Sequence, residues 1–349
     1  MPQIECEYGE YVFIVRRRFS GSVKTECRPR AVLEASSLTS LSIYDSGFTI
    51  YDLPMLNLEQ LAELLEKNRA AASARVREFS IGGKKFSFNS QPVIMGVVNL
   101  SADSWYRESV CLSAKAAVQR GKVMAAQGAQ VIDVGAESTL AHATRVGDAA
   151  QKSKLIPVIK QLRAKKILVS VETYSPAVTR ASLEAGANIL NLTGTTGSRE
   201  IFKMVAAHDA AVIICYVAGR NVREVGDFDL SADPMPLLRD FFARQVEIAQ
   251  RNGVEKIFLD PGLGFYYRNL QGSAVRVRHQ MNVFLNTFRL RELGFPVCHA
   301  LPHAFEFFSE EVRCAEPFFA VLAALGKTDL FRTHEVPRIK AVLDTLKIF

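Results

Sequence analysis

The sequence has no pair of cysteines at metal-binding or redox spacing. Its six cysteines, Cys6, Cys27, Cys111, Cys215, Cys298 and Cys314, are scattered without a C-x-x-C step. This argues against a disulfide framework and a cysteine zinc site, and fits free thiols in a reducing cytoplasm. No uncharged apolar run reaches the roughly 18 residues needed to span a bilayer. The N-terminus, MPQIECEYGEY, lacks the basic-then-apolar pattern of a signal peptide. There is no low-complexity tract and no clear repeat of a short motif. No basic run is interleaved with aromatics, so nucleic acid is not an expected partner. The expectation left by these absences is a soluble, cytoplasmic chain with no membrane or nucleic-acid partner.

What is present is an ordinary folded composition, 48% hydrophobic and 23% charged. At 349 residues the chain has room for one barrel domain and a small extra one. The net charge is +7, and the first 90 residues hold 12 Lys/Arg against 11 Asp/Glu, so the excess lies downstream. A mild positive bias suits an anionic substrate, and a solvated basic surface explains it equally well.

Residues 1–75 read as a separate α+β module. YVFIVRRRF (11–19) alternates as a strand, and LTSLSIYDSGFTIYDL (38–53) reads as two strands around Asp45-Ser46-Gly47. Leu58, Leu61, Leu64 and Leu65 mark a helix within 56–76, with Asn57 as its N-cap. Arg16, Arg17 and Arg18 read more simply as a solvated strand edge than as an anion site. No catalytic constellation occurs in this module. REFSIGGKKFSFNS (77–90) places Gly82-Gly83 between two alternating runs, a β-hairpin expected to plug or cap the bottom of a barrel.

From residue 92 a strand-then-helix rhythm begins. The apolar run Val93–Val98 is a buried parallel strand. Strands follow within 131–139, 167–173, 188–194, 211–217, 256–265, 296–302 and 328–336, with helical stretches between them. Eight such units predict a (β/α)8 TIM barrel over residues 76–349. In such barrels ligands bind at the C-terminal ends of the strands. Polar residues recur there: Asn99, Asp103, Glu137, Ser138, Thr139, Glu172, Asn191, Asp260, Arg332 and His334. Asp133 and Glu137 are also explained as acceptors for loop amides, and Asp260, before Pro261-Gly262, as a turn cap. As a set, Glu172, Asn191 and Asp260 offer two acceptor-only carboxylates and one amide that both donates and accepts. An amino-pyrimidinone edge needs that mixture. Arg332 and His334, two apart on one strand, face one side, and with Asn99 they could hold an anionic leaving group, directly or through Mg2+.

The motifs MGVVNLSADSW, VIDVGAEST, SVETYSPAVTRASLEAGANILN, FLDPGLGF and FRTHEV occur in the order seen in dihydropteroate synthase, which residues 77–349 resemble. The resemblance implies a transferase of folate biosynthesis. In it, the amine of p-aminobenzoate attacks the exocyclic methylene of a dihydropterin pyrophosphate, and pyrophosphate leaves. It would give Glu172, Asn191 and Asp260 to the pterin. It would give Asn99, Arg332 and His334 to the diphosphate and its Mg2+, with Asn99 as the metal ligand and Thr139 nearby. No organic cofactor beyond the pterin substrate is implied. Family members often pair through helices near the barrel's C-terminal end, so a homodimer is compatible.

The chain departs from the family pattern in four loops. The first loop reads Ser101-Ala102-Asp103-Ser104-Trp105-Tyr106-Arg107-Glu108, without the family's Gly-rich stretch. In the second loop Leu140 and Ala141 replace an Arg and a Pro of the aminobenzoate pocket, with Arg145 close enough in sequence to substitute. The sixth-strand loop has Tyr266-Tyr267-Arg268 where Gly-Lys is usual. After the seventh strand the family's Ser-Arg-Lys-Ser is replaced by Ala300-Leu301-Pro302-His303-Ala304, and His303 is the polar residue left there. His299 and His303 have metal-pair spacing on a helix, but Pro302 argues against a helix. Asp103, Thr139, Arg145 and His303 are therefore candidates for second-substrate binding or support. Two other functions fit parts of the pattern: a non-catalytic pterin-binding or regulatory homologue, and a corrinoid-linked pterin methyltransferase. The retained Arg-x-His motif speaks against the latter.

Overall fold

The computed structural model describes residues 4–8, 11–17 and 23–29. From 55 to 348 it describes all residues but 102, 104–108, 140–142, 229–232, 266 and 271. The chain divides into two compact units, Met1–Asn57 and Leu58–Phe349.

In the first unit, strands Ile4–Tyr8, Tyr11–Arg17 and Val23–Pro29 form an antiparallel sheet with the middle strand central. Tyr8 pairs with Tyr11, and Arg17 with Val23. The outer strands carry a period-two alternation of residue type that marks strands, Ile4/Cys6/Tyr8 against Glu5/Glu7 and Val23/Thr25/Cys27 against Lys24/Glu26/Arg28. The expected strands around Asp45-Ser46-Gly47, and Arg18, lie outside the described residues.

The second unit begins with helices Leu58–Lys67 and Arg69–Ala72. They group with the barrel rather than with the N-terminal module: Lys327 Nζ donates to Ala72 O, and Arg77 N donates to Gly294 O at 2.9 Å. Eight parallel strands follow: Val93–Asn99, Val131–Gly135, Leu168–Thr173, Ile189–Leu192, Ala211–Cys215, Ile257–Asp260, Cys298–Ala300 and Leu330–Thr333. Each pairs with its sequence neighbour, the eighth pairs with the first, and a Leu259–Val297 bridge joins the sixth to the seventh. The chain is an α/β protein with a TIM barrel, as its strand-helix rhythm requires.

Strand periodicity sorts the side chains. Ile132, Val134, Val169, Val171, Leu190, Val212, Ile214, Ile257 and Leu259 face the helices and build the outer core. Val93, Met95, Val131, Leu168, Ile189, Ala211, Ile213, Phe258 and Leu330 face the barrel axis. Continuing the inward set toward the C-terminal ends reaches Asp133, Asn191, Asp260 and Arg332 after two residues and Glu172 after four. The alternation that fills the barrel therefore also delivers its polar ring.

The other end is closed by the hairpin Ser80–Ile81/Lys84–Lys85, as expected. Ile81, Phe86 and Phe88 pack under the inward residues, and Phe79 and Phe88 meet Phe258 edge-on with ring centroids 5.3 Å apart. Gly82 and Gly83 have φ of +55° and +83°, which a tight hairpin needs and glycine tolerates. A Cβ on Gly82 would lie 2.7 Å from Leu168 Cδ2, whereas one on Gly83 would meet nothing within 4 Å. Gly82→Ala should therefore cost about 2–4 kcal/mol through strain and overpacking, and Gly83→Ala about 1–2 kcal/mol through strain alone. Denaturant melts of the two variants measure the difference, and equal losses would deny the plug its tight fit.

Candidate active site

The polar ring sits at the C-terminal mouth, in a cavity of about 120 Å³. Glu172, Asn191 and Asp260, expected from sequence as the heterocycle floor, are brought together there with Cys215 and Arg332. Register explains the grouping: Glu172 pairs with Asn191 on adjacent strands, and Cys215 with Asp260.

Arg332 lies within this floor. Its Nε donates to Asp133 Oδ2 at 2.7 Å, and its Nη2 donates to Glu172 Oε2. The sequence places Arg332 at the anion end. In the structure its guanidinium joins two floor carboxylates, because an inward arginine ringed by acids finds its partners there. Asp133, explained from sequence as an acceptor for loop amides, is a floor residue. It is fully buried, also accepts from Asn191 Nδ2 at 3.2 Å, and its Oδ1 has no hydrogen-bond partner among the described residues. Its place two residues past the inward Val131 was the available signal.

Asp260 does cap the turn after it, accepting from Gly262 N at 2.8 Å, and it also faces the cavity. Cys215 Sγ donates to Asn191 Oδ1 at 3.3 Å. Two buried residues on the helix Ser273–Asn286, missed from sequence, also line the cavity. Gln280 donates from Nε2 to Leu263 O at 3.1 Å, and its Oε1 is buried with no partner among the described residues. Arg276 is paired with Glu306.

Three carboxyls thus surround one guanidinium in a desolvated space, and two of them bond it. Burial pushes Glu172 up to about 7, opposed by Arg332 and reinforced by Asp133, Asp260 and Glu137. Burial likewise pushes Asp260 up to about 6, opposed by its bond from Gly262 N and by Arg332. The floor is poised to accept hydrogen bonds from a donor-rich ligand edge.

The second loop forms one wall. Glu137 Oε1 accepts from Val146 N at 3.0 Å, and Tyr174 Oη donates to Glu137 Oε2 at 2.7 Å. Arg145 Nη1 donates to Tyr174 Oη at 2.9 Å, and Arg145 pairs with Glu224 at 3.5 Å. Arg145 thus braces this wall from outside, while Ser138 and Thr139 line the cavity. Buried Arg223, unforeseen from sequence, clamps the loop by donating to Ser138 O at 2.8 Å and to Ala143 O. Asp103 Oδ2 accepts from Thr144 N at 3.2 Å and so ties the first loop to the second. Residues 104–108, Leu140, Ala141 and Tyr266 lie outside the described residues.

Beside the second strand, in register with Gly135, Asn99 ends the first strand and donates from Nδ2 to Ser109 Oγ at 2.6 Å. His303 and His334 stand together, ring centroids 5.0 Å apart. Both reach Glu316 Oε1, at 3.2 Å from His303 Nε2 and 2.8 Å from His334 Nδ1. Glu316 is fully buried on the helix Ala315–Leu325. Burial alone would raise its carboxyl, but the bonds from His303 and His334 outweigh burial and hold it well below the usual range. Burial lowers His334, and Glu316 opposes that. A lone acid among AEPFFAVLAAL was the sequence signal for Glu316. His299 faces the helix side, where its Nε2 lies 2.7 Å from Thr287 Oγ1, away from His303.

Residues 95–301 match the family described as pterin binding enzyme. The chain belongs to the dihydropteroate synthase family. It is 29% identical over 268 residues to the dihydropteroate synthase of Synechocystis sp., covering 73% of this chain and 89% of that protein. It is 33% identical over 224 residues to that of Clostridium beijerinckii, covering 62% and 76%. In structure it is similar to Xanthomonas albilineans dihydropteroate synthase with 4-aminobenzoic acid, with a TM-score of 0.65 and 26% identity, covering 78% of this chain and 98% of that one. The family match ends before the eighth strand, so Arg332 and His334 rest on the FRTHEV motif and on geometry. No helix among the described residues is long and apolar enough to cross a membrane.

The raised Glu172 carboxyl has a pH consequence. The folded form holds its proton more tightly than the unfolded chain, whose carboxyl titrates near 4.5. Its contribution to stability is therefore full below about pH 4.5 and is lost as pH rises to about 7. Glu172→Gln should remove that loss, so wild type should weaken relative to the variant by on the order of 2–3 kcal/mol between pH 4.5 and 7.5. Chemical denaturation across that range reads the slope, and parallel curves would contradict a raised Glu172.

Proposed function

We propose that this chain is a dihydropteroate synthase-like transferase of folate biosynthesis. It joins a dihydropterin pyrophosphate to p-aminobenzoate or a related amine, with loss of pyrophosphate. The observation that carries the reading is the floor of Glu172, Asn191 and Asp260, with Asp133 Oδ1 left without a partner among the described residues. A pterin's amino-pyrimidinone edge presents ring N–H and amine donors to the carboxylates and a carbonyl to the amide. In the reaction the amine nitrogen bonds to the exocyclic methylene carbon, the bond from that carbon to the diphosphate oxygen breaks, and the amine gives up a proton.

In this proposal Asn99 and His334 face the diphosphate. Arg332 positions Glu172 and Asp133 for the pterin while bringing positive charge beneath the reacting end. Thr139 lines the second-substrate side, Asp103 and Arg145 support it, and His303 stands where the family carries its lysine. The Asn99 amide oxygen is a hard neutral donor of the kind Mg2+ takes, alongside phosphate oxygens and water. Bound there, Mg2+ would offset the charge of the departing diphosphate.

A second reading has one specific support. Residues 300–304 bring no lysine to the cavity, and the loss of a hydrogen bond to a charged group costs about 1.5–3 kcal/mol, roughly 10- to 100-fold. On that reading the chain binds pterin and regulates.

Purified protein given the pterin pyrophosphate and p-aminobenzoate should release pyrophosphate, and Asp260→Ala should weaken pterin binding at least about 10- to 100-fold by calorimetry. Pterin binding without pyrophosphate release would favour the regulatory reading. No pterin binding by wild type would overturn both.

A further inference from the structure

The histidine pair on the rim converges on one oxygen of a buried carboxylate. We propose that His303 Nε2, His334 Nδ1 and Glu316 Oε1 form a site for a divalent transition metal of the Zn2+ or Co2+ kind. This inference does not depend on the pterin reading. Donor atoms of the three residues lie within 4.8 Å of one another, and they are the one such group among the described residues. Each imidazole nitrogen approaches the same carboxylate oxygen, at 3.2 and 2.8 Å. A tetrahedral metal with bonds of about 2.0–2.2 Å sets its donors about 3.3–3.5 Å apart. The two histidine–carboxylate spacings need to open by a few tenths of an ångström at His303 and about half an ångström at His334, and the two imidazole nitrogens, within 4.8 Å of each other, settle to the same tetrahedral spacing. The metal would take the place of the proton between His334 Nδ1 and Glu316 Oε1.

The surroundings have the form of a supported metal ligand. The other carboxylate oxygen, Glu316 Oε2, is held by Thr333 Oγ1, by His334 N at 3.1 Å and by Glu335 N at 3.3 Å. Ligating carboxylates are fixed in this way by outer hydrogen bonds. Glu316 is fully buried, and besides Thr333 its side-chain partners are two imidazoles rather than a lysine or an arginine. Two imidazoles and one carboxylate select a borderline metal over Mg2+, which prefers an all-oxygen octahedron. The set is therefore chemically distinct from Asn99. His303 and His334 both line the cavity. Three protein ligands leave a fourth position toward that cavity, open to water or to an oxyanion.

Tag-free, full-length protein titrated with Co2+ in excess Mg2+ tests the site by visible absorption and calorimetry. We expect one equivalent of Co2+, with the absorption of four- or five-coordination, displaced by Zn2+. His303→Ala should lower the affinity at least about 100-fold at an unchanged thermal midpoint. Glu316→Gln should do the same where it folds, and His208→Ala, on the end of a helix elsewhere, should bind as wild type does. The proposal is overturned if no stoichiometric Co2+ binds, if only six-coordinate absorption appears, or if His303→Ala binds as tightly as wild type.

Discussion

The mouth of this barrel depends on one guanidinium shared by two carboxylates. Asp133, Glu172 and Asp260 all point inward from parallel strands, and nothing in strand geometry lets them turn away. Three desolvated carboxyls without a cation would be untenable. Arg332 bonds two of them directly and lowers the third through its charge. Removing one partner of such a buried set typically costs about 3–5 kcal/mol, because it strands the charges that remain. The arrangement still leaves an excess of acceptors, visible in Asp133 Oδ1 and in the raised carboxyls of Glu172 and Asp260. That excess is what a ligand with several N–H groups would satisfy.

The barrel was legible because each strand is a short apolar run with a polar residue at its end. Val93–Asn99 and Ile257–Asp260 both stop where the sequence breaks from apolar to polar. The floor was legible for the same reason. Partners that arise only by closure were not. Asp133 and Arg332 are 199 residues apart, and only the pairing of the eighth strand with the first brings them together. Arg332 was expected at the anion end because its motif pairs it with His334, yet side chains two apart on a strand share a face without sharing a depth. Glu316 and Arg223 were missed because each reaches the site from outside the barrel strands. The two outer strands of the N-terminal sheet were passed over although their sequences alternate.

The departures from the family pattern lie in the loops that follow the first, second, sixth and seventh strands. The floor carries the carboxylates of Glu172 and Asp260 and the amide of Asn191. At the rim His303 meets His334 over a buried carboxylate. Loops tolerate such change because the strands beneath them set the floor independently.

The most direct test is a crystal structure with a bound pterin. Its amino-pyrimidinone edge should lie within hydrogen-bond distance of Glu172, Asn191 and Asp260, with Arg332 still bonded to Asp133. A pterin seated elsewhere, or a floor that stays empty at saturating pterin, would contradict the assignment of this ring of acceptors to pterin recognition.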